Sequence, residues 1–163
     1  MSPWSRHLGV MRRSLTLLFL LLGGLARATP GEVIPLRNLC AVAVTGGVES
    51  TGADVPHGAG VRSRTEEAVR RMGLEVVPLG KADPTLPLVR ATFRVMEVEP
   101  GTYAYLFELS LQEPCRIPRN GVTTFCTTWK RQILGSAQGE SGMLAALDGA
   151  LRDLEDDLQA ARR

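Results

Sequence analysis

Leu88-Val89-Arg90-Ala91-Thr92-Phe93-Arg94-Val95, followed by Tyr103-Ala104-Tyr105-Leu106-Phe107-Glu108-Leu109-Ser110-Leu111, decides the fold. In the first run Val89, Ala91, Phe93 and Val95 alternate with Arg90, Thr92 and Arg94. This period of two belongs to a strand with one dry and one wet face. In the second, Tyr103, Tyr105, Phe107, Leu109 and Leu111 line one face against Ala104, Glu108, Ser110 and Gln112. Pro100-Gly101 between them makes a tight turn. Adjacent apolar residues at Val95-Met96 break the phase and predict a bulge there. Phe125 to Leu134 forms a further strand, with Phe125, Trp129 and Ile133 on one side and Thr127 and Arg131 sharing it. The three runs predict an antiparallel meander.

Upstream, Leu39 to Val44 is short and apolar and reads as a buried strand. Thr45 to Gly60 is glycine-rich and reads as a loop. Val61 to Met72 is helical: Val61, Thr65, Ala68, Val69 and Met72 share one face. Arg62–Glu66, Glu66–Arg70 and Glu67–Arg71 supply ion pairs four residues apart on the other. Gly73 is placed to end that helix in the left-handed region, and Leu74 to Leu79 forms a second short strand. Downstream, Leu144, Leu147, Leu151, Leu154 and Leu158 are spaced for one face of a final helix running to Ala161, with Ser141 as its N-cap. The seam spans barely two heptads, so packing on the sheet is preferred to a coiled coil.

The expected fold is therefore α+β, in the order β-α-β-β-β-β-α. It is a two-layer sandwich of a mixed, largely antiparallel five-stranded sheet with two helices on one face.

Residues 1–28 read as a secretory signal peptide. Arg12 and Arg13 precede an apolar run from Leu15 to Leu25, and Ala26-Arg27-Ala28 gives a small-x-small cleavage site. The run falls short of the roughly 20 residues a spanning helix needs. Met11 begins an equally complete signal. Residues 29–163 then form a single secreted α+β domain, periplasmic or released. Taking Arg6, Arg12, Arg13 and Arg27 from the 19 basic residues leaves 15 against 17 acidic ones. The formal charge turns from +2 to −2, and nucleic acid or an anionic membrane is unsupported as a partner.

Cys115 and Cys126 flank a turn-rich segment between two strands and are expected to pair in an oxidising compartment. Cys40, in Leu39-Cys40-Ala41-Val42, is expected to be a buried free thiol acting as a small hydrophobe. Burial there argues against a Cys40/His57 nucleophile pair. A zinc set of His57, Cys40, Cys115 and Cys126 lacks any short ligand spacing. The glycine-rich loop lacks the spacing and lysine of a phosphate-binding loop. No catalytic residue, cofactor or metal site is expected, and His57 is an exposed loop histidine.

Cys40-Ala41-Val42-Ala43-Val44, the glycine-rich loop and Thr65-Glu66-Glu67-Ala68-Val69-Arg70-Arg71-Met72-Gly73 together resemble the amino-terminal domain of the periplasmic protein TolB. They also resemble the related curli-secretion and penicillin-binding-protein-activator lipoproteins. The strand from Leu88, the Pro-Gly hairpin, the aromatic strand, the Trp-bearing strand and the leucine-rich final helix extend the likeness over nearly all of residues 29–163. It departs from those families in that no propeller follows in this chain and no cysteine stands where a lipid would be attached. The resemblance implies a non-enzymatic binding or assembly module of the bacterial cell envelope. No functional residue of those families has a matching motif here, and none is carried over.

Two functional expectations follow. In the first, a sheet edge or the loop before the helix engages an envelope protein partner, or pairs the domain with itself. In the second, the protein is a secreted inhibitor or small-ligand carrier, with Tyr103, Tyr105, Phe107 and Trp129 lining a concave sheet face. Tyr103, Tyr105, Trp129 and His57 are the candidate surface residues.

Overall fold

The computed structural model describes residues 36–50 and 59–163. The signal segment 1–28 and His57 lie outside the described residues. Strand β1 (Ala41–Ser50) leads to helix α1 (Ala59–Arg71), strand β2 (Glu75–Val77) and a 3-10 turn (Leu79–Lys81). Strands β3 (Leu88–Glu99), β4 (Thr102–Arg116) and β5 (Thr123–Gln138) follow, and helix α2 (Gly139–Ala161) closes the chain. The five strands form one open sheet in the order β2-β1-β3-β4-β5. β1 is parallel to both β2 and β3, and the β3-β4-β5 meander is antiparallel. This is the expected α+β sandwich.

The meander forms because its alternation leaves one face that water rejects. Val89, Ala91, Phe93, Val95, Tyr103, Tyr105, Phe107, Leu109 and Leu111 are all buried. Phe93 sits between Phe107, at 4.4 Å between ring centres, and Tyr105, edge-on at 5.6 Å. Each large side chain fully removed from water contributes about 1.5–3 kcal/mol. The helices cover this face. Val61, Ala68, Val69 and Met72 of the α1 region are buried together with Leu147, Leu151, Leu154 and Leu158 of α2. The leucine seam therefore packs within the domain, with Leu144 only partly buried at its start. The Thr65 hydroxyl, fully buried on the same face, donates to the Val61 carbonyl at 2.7 Å. Gly73 has φ +79° and ends α1, as its place in the sequence predicts.

Five expectations need correction. First, β1 continues through the glycines to Ser50 rather than stopping at Val44. Gly46 lies under α1, where a Cβ would stand 2.8 Å from the Arg62 Cα. This glycine admits a helix against a strand and does not mark a loop. Second, the β3 bulge falls between Glu97 and Glu99, beyond Val95-Met96, which still pair regularly with Tyr105 and Ala104. Third, an unforeseen register shift at Leu111/Gln112 pairs Leu111 with Trp129 but Gln112 with Thr127. The extra residue, Thr128, reverses the phase, so Phe125 and Thr127 leave Trp129's side and Phe125 is 45% exposed. Fourth, α2 begins at Gly139 with Gln138 as N-cap, ahead of Ser141. Fifth, the second strand shrinks to three residues, and Leu79 starts the 3-10 turn.

Candidate functional site

The aromatic residues are placed by the helices. Tyr103, Tyr105 and Trp129 are 9%, 8% and 2% exposed, within the core under the helices. The Trp129 indole N–H donates to Asp157 of α2 at 2.9 Å. Tyr105 lies across from Gly135, whose hydrogen leaves room for the phenol; a Cβ there would stand 2.7 Å from the Tyr105 oxygen. Burial pushes the Tyr105 phenol above its usual range. These three side chains, predicted as ligand or partner surface, are buried in the core, and of the three Tyr105 also borders a shallow depression in the sheet.

Cys40 is exposed, against the expectation of burial. Leu36 and Leu39, in the turn before β1, take the buried places, and Asn38 bends the chain there with φ +64°. The Cys40 thiol faces outward and donates to the Asn38 carbonyl at 3.4 Å. Cys115 and Cys126 form the expected disulfide, with Cα atoms 5.8 Å apart. Among the described residues, no three His, Cys, Asp or Glu side chains cluster as a metal site would require.

Among the described residues, no helix covers the other side of the sheet. The register aligns Glu49, Arg94, Leu106 and Leu134 in one row across β1, β3, β4 and β5. The next row is Gly47, Thr92, Glu108 and Gln132, and the one after it Thr45, Arg90, Ser110 and Lys130. Glu49 pairs with Arg94 at 3.1 Å and with Arg90 at 3.8 Å, and the Gln132 amide donates to Glu108 at 2.6 Å. All these groups are exposed enough that the ion pairs contribute little to stability. The hydroxyls of Thr45 and Ser110, in the same row on either side of Arg90, are buried without a hydrogen-bond partner. Beside the charged rows lies a shallow depression of about 310 Å³, lined by Arg94, Met96, Ala104, Leu106 and Leu134. Leu134 is 77% exposed and Met96 53%.

A second feature rises from one end of the sheet. β3 starts at Leu88, opposite Gln112, so β4 from Glu113 and β5 up to Cys126 continue as a two-stranded ribbon. Its turn is closed by Ile117 N–H to the Val122 carbonyl at 2.8 Å, and the Val122 amide donates to the Asn120 side chain. Two strands alone are marginal in water, and the Cys115–Cys126 bond pins these two together. Ile117, Val122 and Phe125 are exposed along the ribbon beside Arg116 and Arg119. Glu113 is its one acidic residue, and burial pushes that carboxyl above the usual range, away from its charged form.

Six of the seven large exposed apolar side chains among the described residues (Met96, Val98, Ile117, Val122, Phe125 and Leu134) thus belong to the β3–β5 region; the seventh, Leu79, starts the 3-10 turn, and none lies on α1 or α2. Sequence reasoning passed over Leu106 and Leu134, although both stand in the polar phase of their strands. That misplacement was the available signal.

No family model matches the chain, and no curated protein matches it. One solved structure, titled only as that of an uncharacterized protein, is similar over 77% of this chain and 92% of its own, at 10% identity and a TM-score of 0.33. So distant a likeness carries no functional argument.

Proposed function

We propose that this chain is a non-enzymatic binding or assembly module of the bacterial cell envelope, which engages a protein partner through the strand side of its sheet. The observation that carries the reading is the one-sided distribution of exposed apolar surface. The helix-covered side is closed by its own core, whereas the open side and the ribbon keep Met96, Val122, Phe125 and Leu134 in water. Apolar groups rimmed by charge mark interaction surfaces. The ribbon is the leading contact, since it projects three apolar side chains and two arginines on a scaffold held by a disulfide.

Two observations support an extracytoplasmic address: the disulfide and the signal-like segment 1–28. The likeness of pattern to the TolB amino-terminal domain favours a periplasmic one. The non-enzymatic reading is supported by how the acidic side chains are engaged. Glu49, Glu66, Asp148 and Asp153 hold arginines, and Asp157 holds Trp129.

The chain's own lysines provide the test. Lys130 lies on β5 on the strand side, and Lys81 lies in the 3-10 turn near the opposite edge; both are exposed. Amine cross-linking in the native envelope, followed by mass spectrometry, is expected to join one recurring envelope protein to Lys130 and not to Lys81. Adducts on Lys81 alone, or none on either lysine, would overturn the reading.

A further inference from the structure

The free edge of β5 has two unlike halves. β5 pairs only with β4, so among the described residues its outer edge has no strand neighbour. Natural sheet edges discourage further pairing with bulges, charges or prolines. The first half of β5 has such devices, with the shift at Thr128 and the cations Lys130 and Arg131. The second half, Gln132-Ile133-Leu134-Gly135-Ser136-Ala137-Gln138, has no charge, no proline and no break in register. Within it Leu134 is the most exposed large apolar side chain among the described residues.

We infer that this half-edge pairs with the same half-edge of a second copy, antiparallel about a two-fold axis through Leu134. A two-fold contact needs a surface complementary to itself; charge excludes registers centred on the cations, and the exposed Leu134 favours the one that covers it. Centring the pair on Lys130 or Arg131 sets like charges directly opposite, which is unfavourable. Centring it on Leu134 sets Lys130 against Gln138 of the partner subunit, and Arg131 against the partner's Ala137. Leu134 then meets the partner's Leu134, and the exposed side chain is covered by its own copy. The two five-stranded sheets join into one continuous sheet.

The covered side accommodates this arrangement. Asp153 and Asp157 of α2 bind Arg131 and Trp129 of β5 and so mark the side of the helix that lies along this strand. At helical spacing before them on that side come Gly142, Ala146 and Gly149. A Cβ on Gly142 would stand 2.7 Å from the Ala137 Cβ, which confirms the orientation. Gly142, Ala146 and Gly149 themselves put no large side chain on this flank, although the Arg152 guanidinium lies 4.0 Å from where a Gly149 Cβ would stand. The self-pairing edge and the ribbon are separate surfaces, so the proposal can fail while the ribbon still binds its partner, and the reverse.

The test is the oligomeric state of the purified, oxidised protein across a concentration series, by sedimentation equilibrium. A dimer is expected, with Leu134→Lys weakening association at least about tenfold by placing two cations on the axis. In a Cys40→Ser background, Leu134→Cys is expected to form an intermolecular disulfide rapidly. Lys130→Cys, displaced along the strand from the axis, should form almost none. A monomer at every concentration, a dimer indifferent to Leu134→Lys, or equal trapping at the two cysteine positions would each overturn the inference. Circular dichroism of each variant confirms that the fold is intact.

Discussion

Strand β4 shows two sides under one backbone. On its covered side Tyr103, Tyr105, Phe107, Leu109 and Leu111 are nearly sealed from water. On its open side Ala104, Leu106, Glu108, Ser110 and Gln112 share rows with arginines, a lysine and the exposed Leu134. The strand has the same hydrogen-bond ladder for both. The covered side explains why the chain folds, and the open side is where something outside the chain can be read. Stability and recognition should therefore separate cleanly when the two sides are mutated.

The sharpest contrast comes from truncating one large apolar side chain on each side. Phe107→Ala should cost about 3–5 kcal/mol in urea unfolding, because the site is sealed and cannot collapse freely. Leu134→Thr, measured at a concentration low enough to keep the chain monomeric, should stay within about 0.5 kcal/mol of the parent, since within one copy its side chain is already in water. Comparable losses for the two would erase the distinction.

Removing the disulfide with Cys115→Ser and Cys126→Ser comes next. The chain-entropy model assigns a short closed loop about 3 kcal/mol, less any native strain. Loss of amide-exchange protection should concentrate in residues 113–126 and leave the core of β3 and β4 protected. Protection lost evenly throughout would mean that the ribbon belongs to the same cooperative unit as the core.

Trp129→Phe keeps most of the apolar volume but removes the donor to Asp157. About 1.5–3 kcal/mol is expected for a lost bond to a charged acceptor. A value near zero would mean that the α2–β5 contact is held by packing alone.

Two smaller effects probe polar groups. The Glu113 carboxyl is raised above its unfolded value by burial, so the folded state holds its proton more tightly. Stability on this account rises as pH falls through the raised folded value, and it is lowered at neutral pH, where the buried charge must form. Glu113→Gln should remove that dependence and stabilise the protein slightly at pH 7. Glu66 behaves in the opposite sense, because the Arg62 guanidinium hydrogen-bonded to it, with Arg70 adding to the effect, holds its carboxyl below the usual range. Its contribution is complete above the unfolded value and disappears as pH falls through the folded one. Ser110→Ala, which deletes a buried hydroxyl with no partner, should be neutral or mildly stabilising in thermal melts.

What was legible in the sequence follows the same division. The covered faces of β3 and β4, the buried stripe of α1 and the leucine seam of α2 announce themselves, because burial in a two-layer fold imposes a strict period. Gly46 was misread because α1, distant in sequence, dictates the absence of a side chain there. Phe125 was misplaced because the bulge at Thr128 depends on how β5 aligns with β4, which no local pattern records. Cys40 was judged by its apolar neighbours, but the core places went to Leu36 and Leu39 through a turn at Asn38. The candidate site was the least legible part. Aromatic residues drew attention and proved to be core, while the informative residues were Leu106 and Leu134, leucines standing where the alternation calls for polar groups.

The most direct test of the account places a photo-crosslinking residue in turn at Val122, on the ribbon, and at Gln159, on the exposed side of α2, in cells carrying the full chain. The account predicts a discrete adduct with one envelope protein from Val122, abolished when Arg116 and Arg119 are changed to glutamate, and none from Gln159. An adduct from Gln159 with Val122 silent would contradict it, by placing recognition on the side assigned to holding the fold together.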